Sequence, residues 1–184
     1  MRTANVHLIC GSTGAGKTTD AIRLADELGA LRFSIDEWMT ALFRMDSPQP
    51  IDPEWAIARV ERASAMIWRT AADAAHRGVP SVLEIGLTTR EARTRSAERA
   101  AAEGLAVRLH FLDVLPDERW ARAAERNTRL GEETQLGFAI TREMFDFVEA
   151  MWEAPDAGEM AMMNGVRVAY PFTRYGTLPG MIEN

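Results

Sequence analysis

Short apolar runs alternate along this chain with longer stretches in which apolar side chains recur every three to four residues. The short runs predict buried strands at Val6 to Cys10, Leu31 to Ile35, Ser81 to Ile85, Ala106 to Phe111 and Val166 to Tyr170. The longer period predicts helices at Thr18 to Leu28, Asp36 to Phe43, Pro53 to His76, Thr89 to Glu103, Asp117 to Arg129 and Thr141 to Trp152. Their ends carry the expected punctuation. Pro53 stands in a first turn, Gly78 and Gly104 close two helices, Thr141 is a cap, and Pro155 follows the last helix. Strands alternating with helices in this way predict an α/β fold, a parallel sheet with helices on both faces. Neither an internal repeat nor a low-complexity tract interrupts it.

The first strand runs into Gly11-Ser12-Thr13-Gly14-Ala15-Gly16-Lys17-Thr18-Thr19, which satisfies G-x-x-x-x-G-K-[ST] at every position and opens a helix. Glycines let such a loop turn its N–H groups inward, so loop and helix N-terminus can wrap the α- and β-phosphates of a nucleotide. Lys17 would reach the β- and γ-phosphates, the Thr18 hydroxyl would join a Mg²⁺ shell, and Thr19 would donate to the α-phosphate.

Composition narrows the class. With 184 residues, 47% of them hydrophobic, the chain can bury one α/β core, so residues 1–184 are expected to form a single domain with a mobile lid near 127–140. Neither an apolar leader nor a membrane-length run is visible, and the expected compartment is the cytoplasm. A formal charge of −6 disfavours a nonspecific nucleic-acid surface and points to a small-molecule partner. Cys10 reads as a packed apolar residue, and His7, His76 and His110 have no metal-ligand spacing and read as structural.

Further chemistry lies at the strand ends. Asp36 follows the second strand, where an open parallel sheet binds its ligands, and is the candidate base for an acceptor hydroxyl; capping the next helix is its other reading. Glu84 ends the third strand, in position to hold Mg²⁺ through water, to touch the acceptor hydroxyl, or to serve structure alone. Arg119, Arg122, Arg126 and Arg129 share a helical face. On the functional reading Arg122 and Arg126 meet the phosphates during transfer and Arg119 lies on the adenine side; Glu118 and Glu125 allow a salt-bridged solvated face instead. Arg90 fits either an acceptor contact or a solvated helix start, and Trp38 either an acceptor pocket or the core. The turn-rich segment 44–53 stands on the acceptor side, and 131–137 has the make-up of a lid.

With the loop Gly11 to Thr19, Asp36 after strand two, Glu84-Ile85-Gly86 after strand three and Arg122-x-x-x-Arg126 before a lid, the chain resembles the compact phosphate-loop (Walker A) kinases. Those named by the resemblance are the zeta-toxin and chloramphenicol phosphotransferase type, the gluconate kinases and the kinase domain of phage polynucleotide kinase. The resemblance implies a three-layer phosphate-loop NTPase fold with strand order 2-3-1-4-5, Mg-ATP as donor, Asp36 as general base and Arg122 with Arg126 as the lid clamp. It also sets segment 171–176 beside the adenine. Glu84 stands where aspartate is more usual. The acceptor differs among these relatives, so the expected activity is transfer of the γ-phosphate of ATP to a small-molecule hydroxyl. Two alternatives are an ATP-hydrolysing regulatory switch and a 5′-hydroxyl nucleic-acid kinase.

Overall fold

Five strands line up as β2-β3-β1-β4-β5 in a computed structural model that describes residues 5–128 and 139–168. They are β1 (Val6–Cys10), β2 (Leu31–Ser34), β3 (Ser81–Glu84), β4 (Val107–Phe111) and β5 (Val166–Arg167), and every pairing is parallel. The helices are α1 (Lys17–Leu28), α2 (Ile35–Phe43), α3 (Pro53–His76), α4 (Arg90–Ala102), α5 (Pro116–Thr128), α6 (Arg142–Met151) and α7 (Ala157–Met162). This is the expected sheet order, with β1 central and fully buried along its length.

Side chains on successive strand residues face opposite ways, and the two cores follow from that alternation. Val6, Leu8 and Cys10 of β1 join Phe33, Leu83 and Leu109 in a cluster closed by Ile67, Trp68 and Ala71 of α3 and Ala100 of α4. Ile9 and Val82 point the other way, to Ala21, Leu24 and Ala25 of α1 and to Leu112 and Val114. Helices therefore cover both faces, and the carboxyl ends of β1, β2 and β3 are left to form one edge of a cleft. Among the described residues no helix is long and apolar enough to cross a membrane.

Most element ends shift by a single residue, and three differences from the sequence reading carry a physical reason. β2 stops at Ser34, because Ile35 already turns into α2 and buries itself in the core. Ser34 is then the N-cap, its hydroxyl accepting from the Glu37 N–H, so Asp36 lies inside the first turn and the capping reading does not apply to it. The short α7 has no counterpart in the expected elements; Asp156 and Glu159 form a reciprocal capping box at its start. Of the expected last strand only Val166–Arg167 is paired within the described residues, and 169–170 lie outside them.

On the α1 face, His7 Nδ1 and His110 Nε2 lie 2.9 Å apart across β1 and β4, and both rings are buried. Among the described residues no His, Cys, Asp or Glu cluster fit for a metal ion occurs. Burial, then His7, then Arg108 and Arg23 push the His110 pKa down to about 3. An unfolded histidine titrates near 6.5, so the unfolded chain takes up this proton first. The stability that the neutral ring contributes is complete above about pH 6.5 and is lost as pH falls toward 3, by about 1.4 kcal/mol per pH unit. Urea unfolding at pH 8 and pH 5 should therefore show a larger stability gap in the parent protein than in His110→Gln. Equal gaps would remove His110 as the source.

Candidate active site

The loop between β1 and α1 is shaped by close backbone packing. Gly14 has φ of +79°, and a Cβ placed there would stand 2.3 Å from the carbonyl oxygen of Arg119, so α5 holds the loop from behind. Gly16, also left-handed at φ 90°, hands the chain to α1. This leaves Lys17 and Thr18 in the first helical turn, where N–H groups are unpaired and anions are favoured.

Gly11, Ser12, Thr13 and Lys17 line one wall of a cleft of about 220 Å³. Ile35 and Asp36 of α2, Glu84 at the end of β3, the segment Gly86 to Thr88, and Val148 of α6 complete it. Lys17 Nζ donates to the Ser12 carbonyl at 3.2 Å. Its burial lowers the ammonium pKa, against the pull of Glu84 and Asp36. The Thr18 hydroxyl donates to Glu84 Oε1 at 2.7 Å. Glu84 Oε2 is buried without a hydrogen bond, with Arg32 3.6 Å away. Burial raises the Glu84 pKa, opposed by Thr18 and Lys17. A partly desolvated cation and a desolvated carboxylate side by side suit a ligand that brings both a polyanion and a cation.

The expected Mg²⁺ fits this pair. Magnesium takes oxygen ligands, keeps several waters and needs only one or two protein groups beside phosphate oxygens. Thr18 Oγ1 and the Glu84 carboxylate supply such a set, and the unbonded Oε2 has spare acceptor capacity.

Of the other expected site residues, Ala15 is buried and Thr19 is exposed on α1. Arg122 lies 3.5 Å from Glu118 and Arg126 3.5 Å from the side chain of Asn127; neither lines the cleft. Segment 131–137, Arg129 and segment 171–176 lie outside the described residues. Trp38 stacks edge-on against Phe33 and joins the core, and Arg90 pairs with Asp156. Cys10 is buried with its thiol pushed up to about 11, as a packed residue requires.

Arg119 departs most from its expected place. Only 3% exposed, it sends two hydrogen bonds of 2.7 Å to the carboxylate of Glu149 and others to the carbonyls of Val114 and Thr13. Four of its five N–H groups are thus committed to acceptors of the protein beside the phosphate loop. Glu149 also accepts from Ser12 Oγ at 3.1 Å, so one carboxylate of α6 ties the loop to α5. Hydrogen bonds from Arg119 hold the Glu149 carboxyl below the usual carboxylate range. In Glu149→Gln the bidentate pair is lost and a buried guanidinium is left short of acceptors, so urea unfolding should show a loss of about 1–3 kcal/mol. Unchanged stability would show that the tether is idle.

Arg93 of α4, fully buried, makes a comparable anchor. It grips both oxygens of Glu159 and donates to the carbonyls of Glu153 and Leu87, which fixes the segment after β3 where it lines the cleft.

The cradle, the acid after β2 and the acid after β3 thus converge on one cleft, and comparison with known proteins gives this arrangement a family. Residues 6–151 match the family model described as AAA domain. The chain belongs to that AAA-domain family. No curated protein matches it. Solved structures that resemble it include a sugar kinase from Janibacter sp. HTCC2649, 18% identical with TM-score 0.60, covering 90% of this chain and 85% of that one. A gluconokinase from Sinorhizobium meliloti 1021 is 18% identical with TM-score 0.61, covering 93% and 86%. The APS kinase of Mycobacterium tuberculosis, solved with AMPPNP and APS, is 16% identical with TM-score 0.55, covering 91% and 89%. At these identities the likeness establishes the fold, that of the small phosphate-loop kinases. This AAA-domain chain shares with them the five-stranded parallel sheet in the order 2-3-1-4-5.

Proposed function

We propose that this protein is an ATP-dependent phosphotransferase that moves the γ-phosphate of Mg-ATP to a hydroxyl of a small molecule. The observation that carries the reading is the convergence of Lys17, Asp36 and Glu84 on one cleft, with Thr18 bonded to Glu84. In the reaction the acceptor oxygen forms a bond to the γ-phosphorus while the bond from that phosphorus to the β–γ bridging oxygen breaks. The hydroxyl proton passes to Asp36, and ADP leaves.

The phosphate loop wraps the α- and β-phosphates and Lys17 meets the β- and γ-phosphates. Thr18 and Glu84 would hold a magnesium ion, which when bound would offset the negative charge of the β- and γ-phosphates. Asp36 stands on the acceptor wall, exposed and inside the first turn of α2, where it can reach a bound hydroxyl. Arg122 and Arg126 are assigned to the charge that spreads over the transferring oxygens. Structural likeness to kinases of sugars, of gluconate and of APS supports the class of reaction and leaves the acceptor to be found.

The test is ADP formation from Mg-ATP with and without a panel of hydroxyl compounds, covering metabolites, nucleosides and antibiotics, with mass spectrometry of the products. Acceptor-dependent ADP formation together with a phosphorylated product is expected. ADP formed at one rate whatever is added would replace the reading by an ATP-hydrolysing switch, and a product found only on 5′-hydroxyl oligonucleotides would make it a nucleic-acid kinase.

A further inference from the structure

The phosphate loop has a cation built beside it that the transfer reaction does not call on. Arg119 meets the loop twice. Its carbonyl oxygen lies 2.3 Å from where a Cβ of Gly14 would stand, and its Nη1 donates to the Thr13 carbonyl at 3.4 Å. Burial, and then the Arg119 charge, lower the pKa of Lys17, so the guanidinium acts on the ammonium assigned to the β- and γ-phosphates. A positive charge so placed is felt by any polyanion the loop holds. Water and salt screen it poorly, because Arg119 is only 3% exposed.

Glu149 cancels that charge. Its Oε1 accepts from Arg119 Nη2 and its Oε2 from Nη1, both at 2.7 Å, and Oε2 also accepts from Ser12 Oγ at 3.1 Å. The loop therefore meets a pair that is close to neutral, fixed in place by bonds to Ser12 and Thr13 on either side. The next acid on the helix, Asp146, is paired with Arg142 and leaves this task to Glu149. With 28% of its side chain exposed, Glu149 keeps some hydration of its own, whereas Arg119 depends on its partners.

Resting on the nucleotide-binding half of the phosphotransferase reading, we infer that Glu149 is a positioning residue that sets how tightly the phosphate loop holds a nucleotide, by fixing and neutralising Arg119. An unbalanced guanidinium at Thr13 would tighten the hold on ATP and ADP alike and slow the departure of ADP, a step that limits turnover in many enzymes. An unbalanced carboxylate at Ser12 would repel both. Unit charges about 8 Å apart at an effective dielectric constant of about 20 alter each other's binding by on the order of tenfold.

The test is calorimetric titration of Mg-ATP and Mg-ADP into the parent, Glu149→Gln, Arg119→Gln and the double variant, each with a thermal melt. The amide in Glu149→Gln can still accept from Ser12 Oγ, so this change removes the charge and leaves the brace. Glu149→Gln is expected to bind both nucleotides about three- to tenfold more tightly than the parent, although it melts lower. Arg119→Gln, which leaves the carboxylate unbalanced, should bind them about tenfold more weakly, and the double variant should return close to the parent. All these differences should shrink as NaCl is raised to about 0.5 M. A tie that serves structure alone gives another pattern: each single variant binds nucleotide no better than the parent, the double variant recovers nothing, and salt makes no difference. Any one of three results would overturn the inference: Glu149→Gln binding no more tightly than the parent, a gain indifferent to salt, or a double variant as weak as Arg119→Gln. The first two are decided by Glu149→Gln alone, even if Arg119→Gln does not fold. A parent protein that fails to bind Mg-ATP is a separate outcome, which removes the phosphotransferase reading and this inference with it.

Discussion

Lys17→Ala is expected to lose Mg-ATP binding by one to two powers of ten, and turnover with it, while the protein melts close to the parent temperature. A hydrogen bond from a charged donor is worth about 1.5–3 kcal/mol, and a net loss of that size at the β- and γ-phosphates sets the scale. The fold should not suffer, because Lys17 contributes little to it. It donates a hydrogen bond to the Ser12 carbonyl, and burial lowers its pKa, so the charged form is held at a cost in the free protein. Removing that cost offsets the lost contact. Calorimetric titration with Mg-ATP and a thermal melt on the same sample decide it. Unchanged ATP affinity would remove the nucleotide assignment of the loop; a collapse of the melt would mean that Lys17 holds the core.

The sheet was legible because its strands are short apolar runs, with β1 and β3 buried throughout, and because most of the helices between them carry a cap or stop. What escaped was held by contacts of a different kind. α7 is six residues long, too short for an apolar period to stand out, and it is fixed by the Asp156–Glu159 capping box and by Arg93 gripping Glu159 from α4. The end of β2 moved because Ile35, apolar and strand-like in sequence, is buried just as well in the first turn of α2. Propensity does not separate those two placements; the serine cap at 34 does.

Within the site, legibility followed distance along the chain. The phosphate loop is a local motif whose residues sit within one turn of each other, so spacing alone exposes it. That Asp36 and Glu84 line the cleft was legible from a rule of topology, that ligands meet the carboxyl ends of parallel strands. Glu149 had no such signal. It meets Ser12 across 137 positions and Arg119 across 30, and only the packing of α6 against the loop brings them together. The same pairing changed the meaning of Arg119, which in sequence is one of a row of arginines on one face. In the fold that row is graded, from Arg119 buried beneath the loop to Arg122 with 28% of its side chain exposed. Buried pairs of this kind position the site while the partners that react stay uncommitted.

Asp36→Asn separates chemistry from structure more sharply than any other single change. The substitution keeps the shape of the side chain and removes its capacity to take a proton. Ser34, and not Asp36, caps α2, so the helix start remains; losing one acidic group from the first turn costs about 0.3–1 kcal/mol at most. ATP affinity should stay near that of the parent, since Asp36 belongs to α2 and not to the loop that wraps the phosphates, and losing its pull on Lys17 shifts that affinity only slightly. Transfer to the acceptor, by contrast, is expected to fall about 10²-fold or more, the usual worth of a positioned general base. The fall should appear in kcat as well as in kcat/KM, because a base acts in the transition state and adds little to ground-state binding. Steady-state kinetics with an identified acceptor, set beside an ATP titration of the same variant, make the comparison. Near-normal transfer would remove Asp36 as the base and leave Glu84, the other carboxylate lining the cleft, as the group to test next.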